Sequence, residues 1–110
     1  MNLPKGDRAL IDPRKITDYC LSPDHDDGKH KARLFHDLLG LSSENAPLLL
    51  DALKRAAVNG DAMLGKLDKY GQRYVIDFEF AGPGGQAILR SAWIAKGDED
   101  FPRLVTCYIL

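Results

Sequence analysis

Apolar side chains in the first half of the chain recur at intervals of three and four residues, which is the period of an amphipathic helix. The pattern predicts three helices, over 13–21, 27–39 and about 43–59. A capping aspartate, Asp12, precedes the first helix, and Gly40 follows the second, where a glycine typically ends a helix. The first half of the chain is therefore predicted to be helical.

In the second half, apolar positions alternate with polar ones, which is the period of a strand with one buried face. Three strands are predicted, over 72–81, 86–95 and 102–110, and a short strand over 63–67 can precede them. Helices first and strands afterwards predict an α+β fold, with about three N-terminal helices packed on a C-terminal antiparallel β-meander of three to four strands. The last strand is too apolar for a frayed tail, and we expect it to be central or covered.

Length and charge limit the classes of function that the chain can have. It has 110 residues, which we expect to form a single domain over 1–110. Fifteen basic and 16 acidic residues leave a net charge of −1, so no global positive field draws the chain to nucleic acid. Any contact with RNA must come from a local cluster, and the strongest basic cluster is the segment 29–36.

Cysteine use and hydropathy indicate where the protein acts. Cys20 and Cys107 fit no metal-ligand spacing and are expected to be buried thiols in a reducing compartment. No segment is long and apolar enough to span a membrane, and the N-terminus lacks an apolar signal region. The acidic run at 24–27 lacks the spacing of a calcium loop and is expected to cap a helix. We therefore expect a cytoplasmic protein without a cofactor or metal.

Lys31 occupies a position where a charge is unfavourable. The predicted second helix has an apolar face made of Leu34, Phe35, Leu38 and Leu39. Lys31 lies in the middle of that face and also in the first turns, where the helix dipole disfavours a cation. One interpretation is a functional residue that binds a phosphate. The other is a lysine whose stem covers apolar surface while its ammonium group stays in water.

Two histidines lie near this position, His25 in the predicted loop and His30 next to Lys31 on the helix. Metal-free RNA cleavage needs a base for the 2′-hydroxyl, an acid for the leaving oxygen and a cation for the phosphoryl oxygens. A histidine can supply the base or the acid, and Lys31 can supply the cation. Alternatively, His30 is a solvated helix residue and His25 holds its loop in place by a hydrogen bond. When the two histidines are considered without Lys31, this structural interpretation is favoured. His36 is expected to be solvated.

The predicted sheet carries a second set of polar candidates. Arg90 lies on the second long strand, and Thr106 and Tyr108 share one side of the last strand, with Arg103 on its other side. A sheet face with Arg, Thr and Tyr side chains can hold an RNA backbone. The alternative is a cross-strand ladder of ion pairs that needs no ligand. Its members are Arg73, Asp77, Glu79, Arg90 and Arg103.

Six short motifs are distributed over the chain. They are Ser22-Pro-Asp-His25, Gly28-Lys-His-Lys-Ala-Arg33, Tyr70-Gly-Gln-Arg-Tyr74, Gly82-Pro83, Ser91-Ala-Trp-Ile94 and Phe101-Pro-Arg-Leu-Val-Thr-Cys-Tyr108. Together they resemble a family of small bacterial domains of unknown function, from about residue 5 to the end of the chain. Members of that family are often encoded beside a second small protein, in an arrangement similar to a toxin–antitoxin pair. The resemblance implies a small antitoxin-like protein as the partner.

More distantly, the order of helices and meander resembles the barnase–EndoU–colicin–RelE class of metal-independent ribonucleases. In that class, a basic or histidine residue of the helical part meets Arg, Thr or Tyr side chains of the sheet. The resemblance implies functional roles for His25, His30, Lys31, Arg90, Arg103, Thr106 and Tyr108. Ribonucleases of this kind are commonly basic, whereas this chain carries a net charge of −1.

Two hypotheses of different classes follow. The first is a toxin-like, metal-independent ribonuclease that cleaves cellular RNA and is neutralised by a small partner. Its predicted catalytic residues are His25, His30, Lys31, Thr106 and Tyr108, and its predicted phosphate or RNA contacts are Lys31, Arg33, Arg90 and Arg103. The second is a non-catalytic binding module, such as an antitoxin, immunity or adaptor protein, which the near-neutral charge favours. A small-molecule site between helices and sheet is a third.

Overall fold

The computed structural model describes residues 1–17, 21 and 29–110. Within these residues the helices come first: α1 spans Pro13–Lys15, α2 spans Lys29–Leu39 and α3 spans Ala46–Asn59. Short 3-10 turns at Gly6–Arg8 and Ser43–Asn45 precede α1 and α3. The predicted order, with helices in the first half, is confirmed, and α2 and α3 lie within their predicted spans. Of the span 13–21 predicted for the first helix, Pro13–Lys15 form the α-helix, Leu21 is in a bend, and residues 18–20 lie outside the described residues.

Local signals account for the ends of these helices. The Asp12 carboxylate accepts the backbone N–H of Arg14 at 3.0 Å and so caps α1. Gly40, at φ 67°, ends α2 in the left-handed conformation that glycine adopts without steric cost. The apolar face predicted for the third helix is confirmed. Its members Leu49, Ala52, Leu53 and Ala56 are all buried.

Four antiparallel strands follow the helices. They are β1 (Ala62–Asp68), β2 (Gly71–Gly82), β3 (Gly85–Ala95) and β4 (Pro102–Ile109). Their order in the sheet is β1-β2-β3-β4, so each strand pairs with its sequence neighbour. This is the predicted α+β architecture, a meander of four strands that follows the helices.

The sheet has two chemically different faces. The core face packs against α2 and α3 and carries Ile76, Leu89 and Trp93, all fully buried. The opposite face, here called the polar face, carries partly exposed side chains. Cross-strand register places on it Arg73, Asp77, Arg90, Arg103, Thr106 and Tyr108.

A β-bulge in β4 corrects one prediction. Leu104 pairs with Trp93 and Thr106 pairs with Ala92, so Val105 is an extra residue without a partner position on β3. The extra residue reverses the alternation of the strand. Arg103 therefore lies on the same face as Thr106, and its predicted place on the other side is wrong.

The buried face of α2 is also narrower than predicted. Ala32, Phe35 and Leu39 are buried, whereas Leu34 and Leu38 are 47% and 49% exposed. Helix α2 packs against β3 and β4, at one side of the sheet, so only a narrow stripe of the helix meets the core. Lys31 is half-buried at the border of this stripe, and its predicted place in the middle of a wide apolar face is wrong.

Strand β4 lies at the edge of the sheet, and only its first residues are covered, as was predicted for the whole strand. Leu10 forms a parallel bridge with Arg103, and the N–H of Leu10 donates to the Pro102 carbonyl at 2.8 Å. The Cys107 side chain is fully buried on the core face, as expected for one of the two cysteines. The other, Cys20, lies outside the described residues.

Candidate functional site

The fold brings Lys31 to two hydroxyl-bearing residues of β4. Its Nζ donates a hydrogen bond to Thr106 Oγ1 at 2.9 Å. The same Nζ lies 5.5 Å from the centroid of the Tyr108 ring, which is cation–π distance. Because β4 is an edge strand, a long side chain from the helix layer can pass around it and reach the polar face. The half-buried position of Lys31 is thus explained by a specific polar contact.

Arg90 extends this group of side chains into the sheet. Its Nε and Nη2 donate to the two carboxylate oxygens of Asp77, each at 2.8 Å, in a bidentate ion pair. Tyr108 lies directly across from Arg90 on β4. In the register of the sheet, Asp77, Arg90 and Tyr108 form one row across β2, β3 and β4. Lys31, Asp77, Arg90, Thr106 and Tyr108 are here called the β4-edge cluster.

The electrostatics of the cluster follow from the Asp77–Arg90 pair. The hydrogen bonds from Arg90 hold the pKa of the Asp77 carboxyl below its usual value. The same pair, with the Tyr108 hydroxyl adding to it, raises the pKa of Arg90. At neutral pH the cluster therefore holds two cations, Lys31 and Arg90, and one anion, Asp77, which leaves a local excess of positive charge.

The lowered pKa of Asp77 predicts a pH dependence of stability. The folded chain prefers the ionised carboxylate, so this stabilisation is complete above the ordinary aspartate pKa of 3.8 and is lost as the pH falls through the lower folded-state value. We expect the free energy of unfolding to fall as the pH is lowered below about 4, and Asp77→Asn to make that fall shallower. Urea denaturation at a series of pH values measures it. An unchanged slope in Asp77→Asn contradicts the prediction.

The cluster is suited to bind and polarise a phosphate. An ammonium and a guanidinium group donate charge-assisted hydrogen bonds to phosphate oxygens. The hydroxyl groups of Thr106 and Tyr108 can each donate or accept a proton. These groups lie at the rim of the sheet, where a ligand can approach from solvent. Within the residues the structure describes, no group of three His, Cys, Asp or Glu side chains is placed to hold a metal ion.

Other predicted site residues lie elsewhere. Arg103 is paired with Glu99, with Nε to Oε1 at 2.7 Å, and its guanidinium lies over the Phe101 ring, although it shares the polar face. Arg33 is exposed and lies about 200° around α2 from Lys31, so the structure does not bring it into the cluster. His36 is exposed, as expected.

Of the two histidines predicted for proton transfer, only His30 lies within the described residues. His30 belongs to α2, directly before Lys31. His25 lies outside the described residues, as does the acidic run at 24–27.

Asp77 belongs to the β4-edge cluster, although the sequence predicted for it only a place in a cross-strand ladder of ion pairs. A signal for its true partner was available in the β2–β3 hairpin. Gly82 pairs with Gly85 across a two-residue turn, and Asp77 and Arg90 each lie five positions from it, on opposite strands. Counting outward from the turn predicts their pairing.

Comparisons with known proteins support the fold. The sequence model of a family described as Domain of unknown function (DUF6883) matches residues 2–110. No curated protein matches the sequence. Among solved structures, a chain of a contact-dependent growth inhibition toxin–immunity protein complex from Klebsiella pneumoniae 342 superimposes with a TM-score of 0.69 at 18% identity, covering 96% of each chain. At this identity the likeness shows a shared fold.

Within 1–17 and 29–110, no helix is both long and apolar enough to cross a lipid bilayer.

Proposed function

This chain belongs to the family described as Domain of unknown function (DUF6883), and from that premise we propose that it is the toxin of a toxin–immunity pair. Its activity is metal-independent cleavage of cellular RNA, and a small immunity protein neutralises it. The solved structure with the shared fold comes from a toxin–immunity protein complex, which supports a protein partner of this kind. The β4-edge cluster supports the chemistry.

The observation that carries the proposal is the contact between Lys31 and β4. Lys31 lies 75 positions from Thr106 in the sequence, yet its Nζ bonds the Thr106 hydroxyl and lies over the Tyr108 ring. A lysine that serves only to cover apolar surface needs no such partners. Here a cation from a helix meets Thr and Tyr side chains of a sheet, which is the arrangement that the resemblance to metal-independent ribonucleases implies.

In the proposed reaction, the 2′-oxygen of a ribose attacks the adjacent phosphorus, and the bond from phosphorus to the 5′-oxygen of the next nucleotide breaks. Lys31 and Arg90 hold the non-bridging oxygens, where negative charge grows in the transition state. Thr106 and Tyr108 complete the pocket by hydrogen bonds. His25 or His30 takes the proton of the 2′-hydroxyl, and an acid returns a proton to the departing 5′-oxygen.

We expect induction of this chain alone to arrest growth of a bacterial host and to fragment its RNA. Lys31→Ala removes the cation that stabilises the transition state, and loss of one such group typically lowers the rate about 100-fold or more. The variant is therefore expected to restore growth and leave total RNA intact on a gel. Tyr108→Phe, which removes only the hydroxyl, is expected to relieve the arrest in part.

Lys54→Ala is the matched control, since it removes an exposed lysine from the outer side of α3. It is expected to be as toxic as the wild type. Arrest with intact RNA, or equal toxicity of Lys31→Ala and the wild type at equal expression, contradicts the ribonuclease proposal.

The second candidate is a non-catalytic immunity or adaptor module. Its support is the near-neutral net charge of −1 and the ion pairs that already occupy Arg90 and Arg103. Normal growth of the induced host with intact RNA favours this candidate over the toxin.

A further inference from the structure

Asp77 is the one member of the β4-edge cluster that the proposed reaction does not use. Its carboxylate binds Arg90 through both oxygens and is 28% exposed. It also lies in the same cross-strand row as Tyr108, close to the place where a phosphate would bind. A carboxylate there repels a phosphate, so its presence needs a reason other than substrate binding.

Counting the donors of Arg90 suggests that reason. A guanidinium has five N–H groups in a rigid plane. Asp77 accepts two of them, and Tyr108 lies directly across from Arg90 on β4. The edge formed by Nε and Nη2 is thereby fixed by Asp77, and the remaining N–H groups have a fixed direction. Without Asp77, the guanidinium would rotate on its flexible stem and lose its fixed position beside Tyr108.

We propose that Asp77 is a positioning residue of the ribonuclease site: it orients Arg90, beside Tyr108, toward the scissile phosphate, and it weakens RNA binding in doing so. This inference rests on the proposed function. It assigns two opposite effects to one carboxylate. Orientation raises the rate of the chemical step, whereas the negative charge lowers the affinity for a polyanion.

The opposite effects give a test that separates positioning from folding. Asp77→Asn removes the charge and the bidentate acceptor while nearly preserving the shape of the side chain. Its kcat is expected to fall about ten- to hundredfold, because Arg90 loses its orientation. Its affinity for RNA is expected to rise several-fold, with a salt slope steeper by up to about 0.7 per charge on single-stranded RNA. Partial unfolding would lower both quantities.

The experiment uses the purified full chain. Values of kcat and KM are measured with a fluorescently labelled, mixed-sequence RNA oligonucleotide. Binding is measured by anisotropy with the same oligonucleotide fully 2′-O-methylated, which blocks the attacking hydroxyl. Asp77→Glu, which keeps the charge, is expected to recover part of the kcat and the wild-type affinity.

Asp68→Asn is the matched control, because it breaks a comparable pair on the sheet, Asp68 with Arg73, whose Oδ2–Nε distance is 3.3 Å. It is expected to keep the wild-type kcat. If the wild type cleaves RNA and Asp77→Asn is equally active, the positioning role of Asp77 is overturned and the proposed ribonuclease function stands. A fall in kcat accompanied by weaker binding also overturns it and assigns Asp77 to folding. A wild type that cleaves no RNA overturns the proposed function and this inference together.

Discussion

Replacing Trp93 with alanine is expected to lower the free energy of unfolding by about 3–5 kcal/mol, the usual cost of removing a large aromatic side chain from a core. Trp93 is fully buried on β3, in the centre of the core face. Its Nε1–H donates to Ser91 Oγ at 2.9 Å, and that hydroxyl donates to the Ile76 carbonyl at 2.9 Å. The substitution therefore leaves a large cavity and removes one of the two hydrogen-bond partners of the buried Ser91 hydroxyl. Since domains of this size are stable by about 5–15 kcal/mol, the loss is a large fraction of the total.

Chemical denaturation of the purified variants measures this effect. Tyr70→Ala is the control, because Tyr70 is an aromatic residue of the β1–β2 turn that is 58% exposed. It is expected to change stability by no more than about 0.5 kcal/mol. Equal losses for the two variants would contradict the central place of Trp93 in the core.

Gly40→Ala is expected to destabilise the chain by about 1–3 kcal/mol, because a side chain is strained at positive φ. Gly40 has φ 67°, and a Cβ on it would lie 2.8 Å from the backbone N of Gly84. That N–H donates to the Leu39 carbonyl at 3.0 Å, so the end of α2 rests directly on the β2–β3 turn. The contact is between backbones, and neither can yield by a side-chain rotation.

The same contact sets the position of α2 along the sheet, and therefore the reach of Lys31. We expect Gly40→Ala to lower the toxicity of the chain as well as its melting temperature. Gly97→Ala is the matched control, since a Cβ there meets no atom within 4 Å. It is expected to leave both measurements unchanged. A melting temperature of Gly40→Ala equal to that of Gly97→Ala is the result that would contradict the prediction.

The fold class was predictable because the signals for its elements are local. The helical period predicts α3 and its buried Leu49 and Leu53, and the strand period predicts the apolar side of β2 that contains the buried Ile76. The glycine that ends α2 and the turn between β2 and β3 are also readable from neighbouring residues alone. Each of these features depends on residues within a few positions of one another.

The candidate site was predictable only in part. Lys31 attracted attention because a cation among apolar helix positions is unusual, and the structure does place it against Thr106 and Tyr108. The same periodicity predicts that Leu34 and Leu38 are buried, which is wrong. Periodicity identifies an apolar stripe, but how wide a stripe the core covers depends on where the helix packs on the sheet.

By itself, the sequence determined the order of the elements, the turns and the unusual place of Lys31. Only the tertiary structure decided which face of the sheet Arg103 occupies. One extra residue in β4, Val105, reverses the alternation of side chains, and no local sequence pattern predicts this bulge. The tertiary structure also decided that Lys31 meets β4, a contact across 75 positions in the sequence. Such contacts depend on how helix and sheet pack together, and the packing is the sum of many weak interactions that no short segment contains.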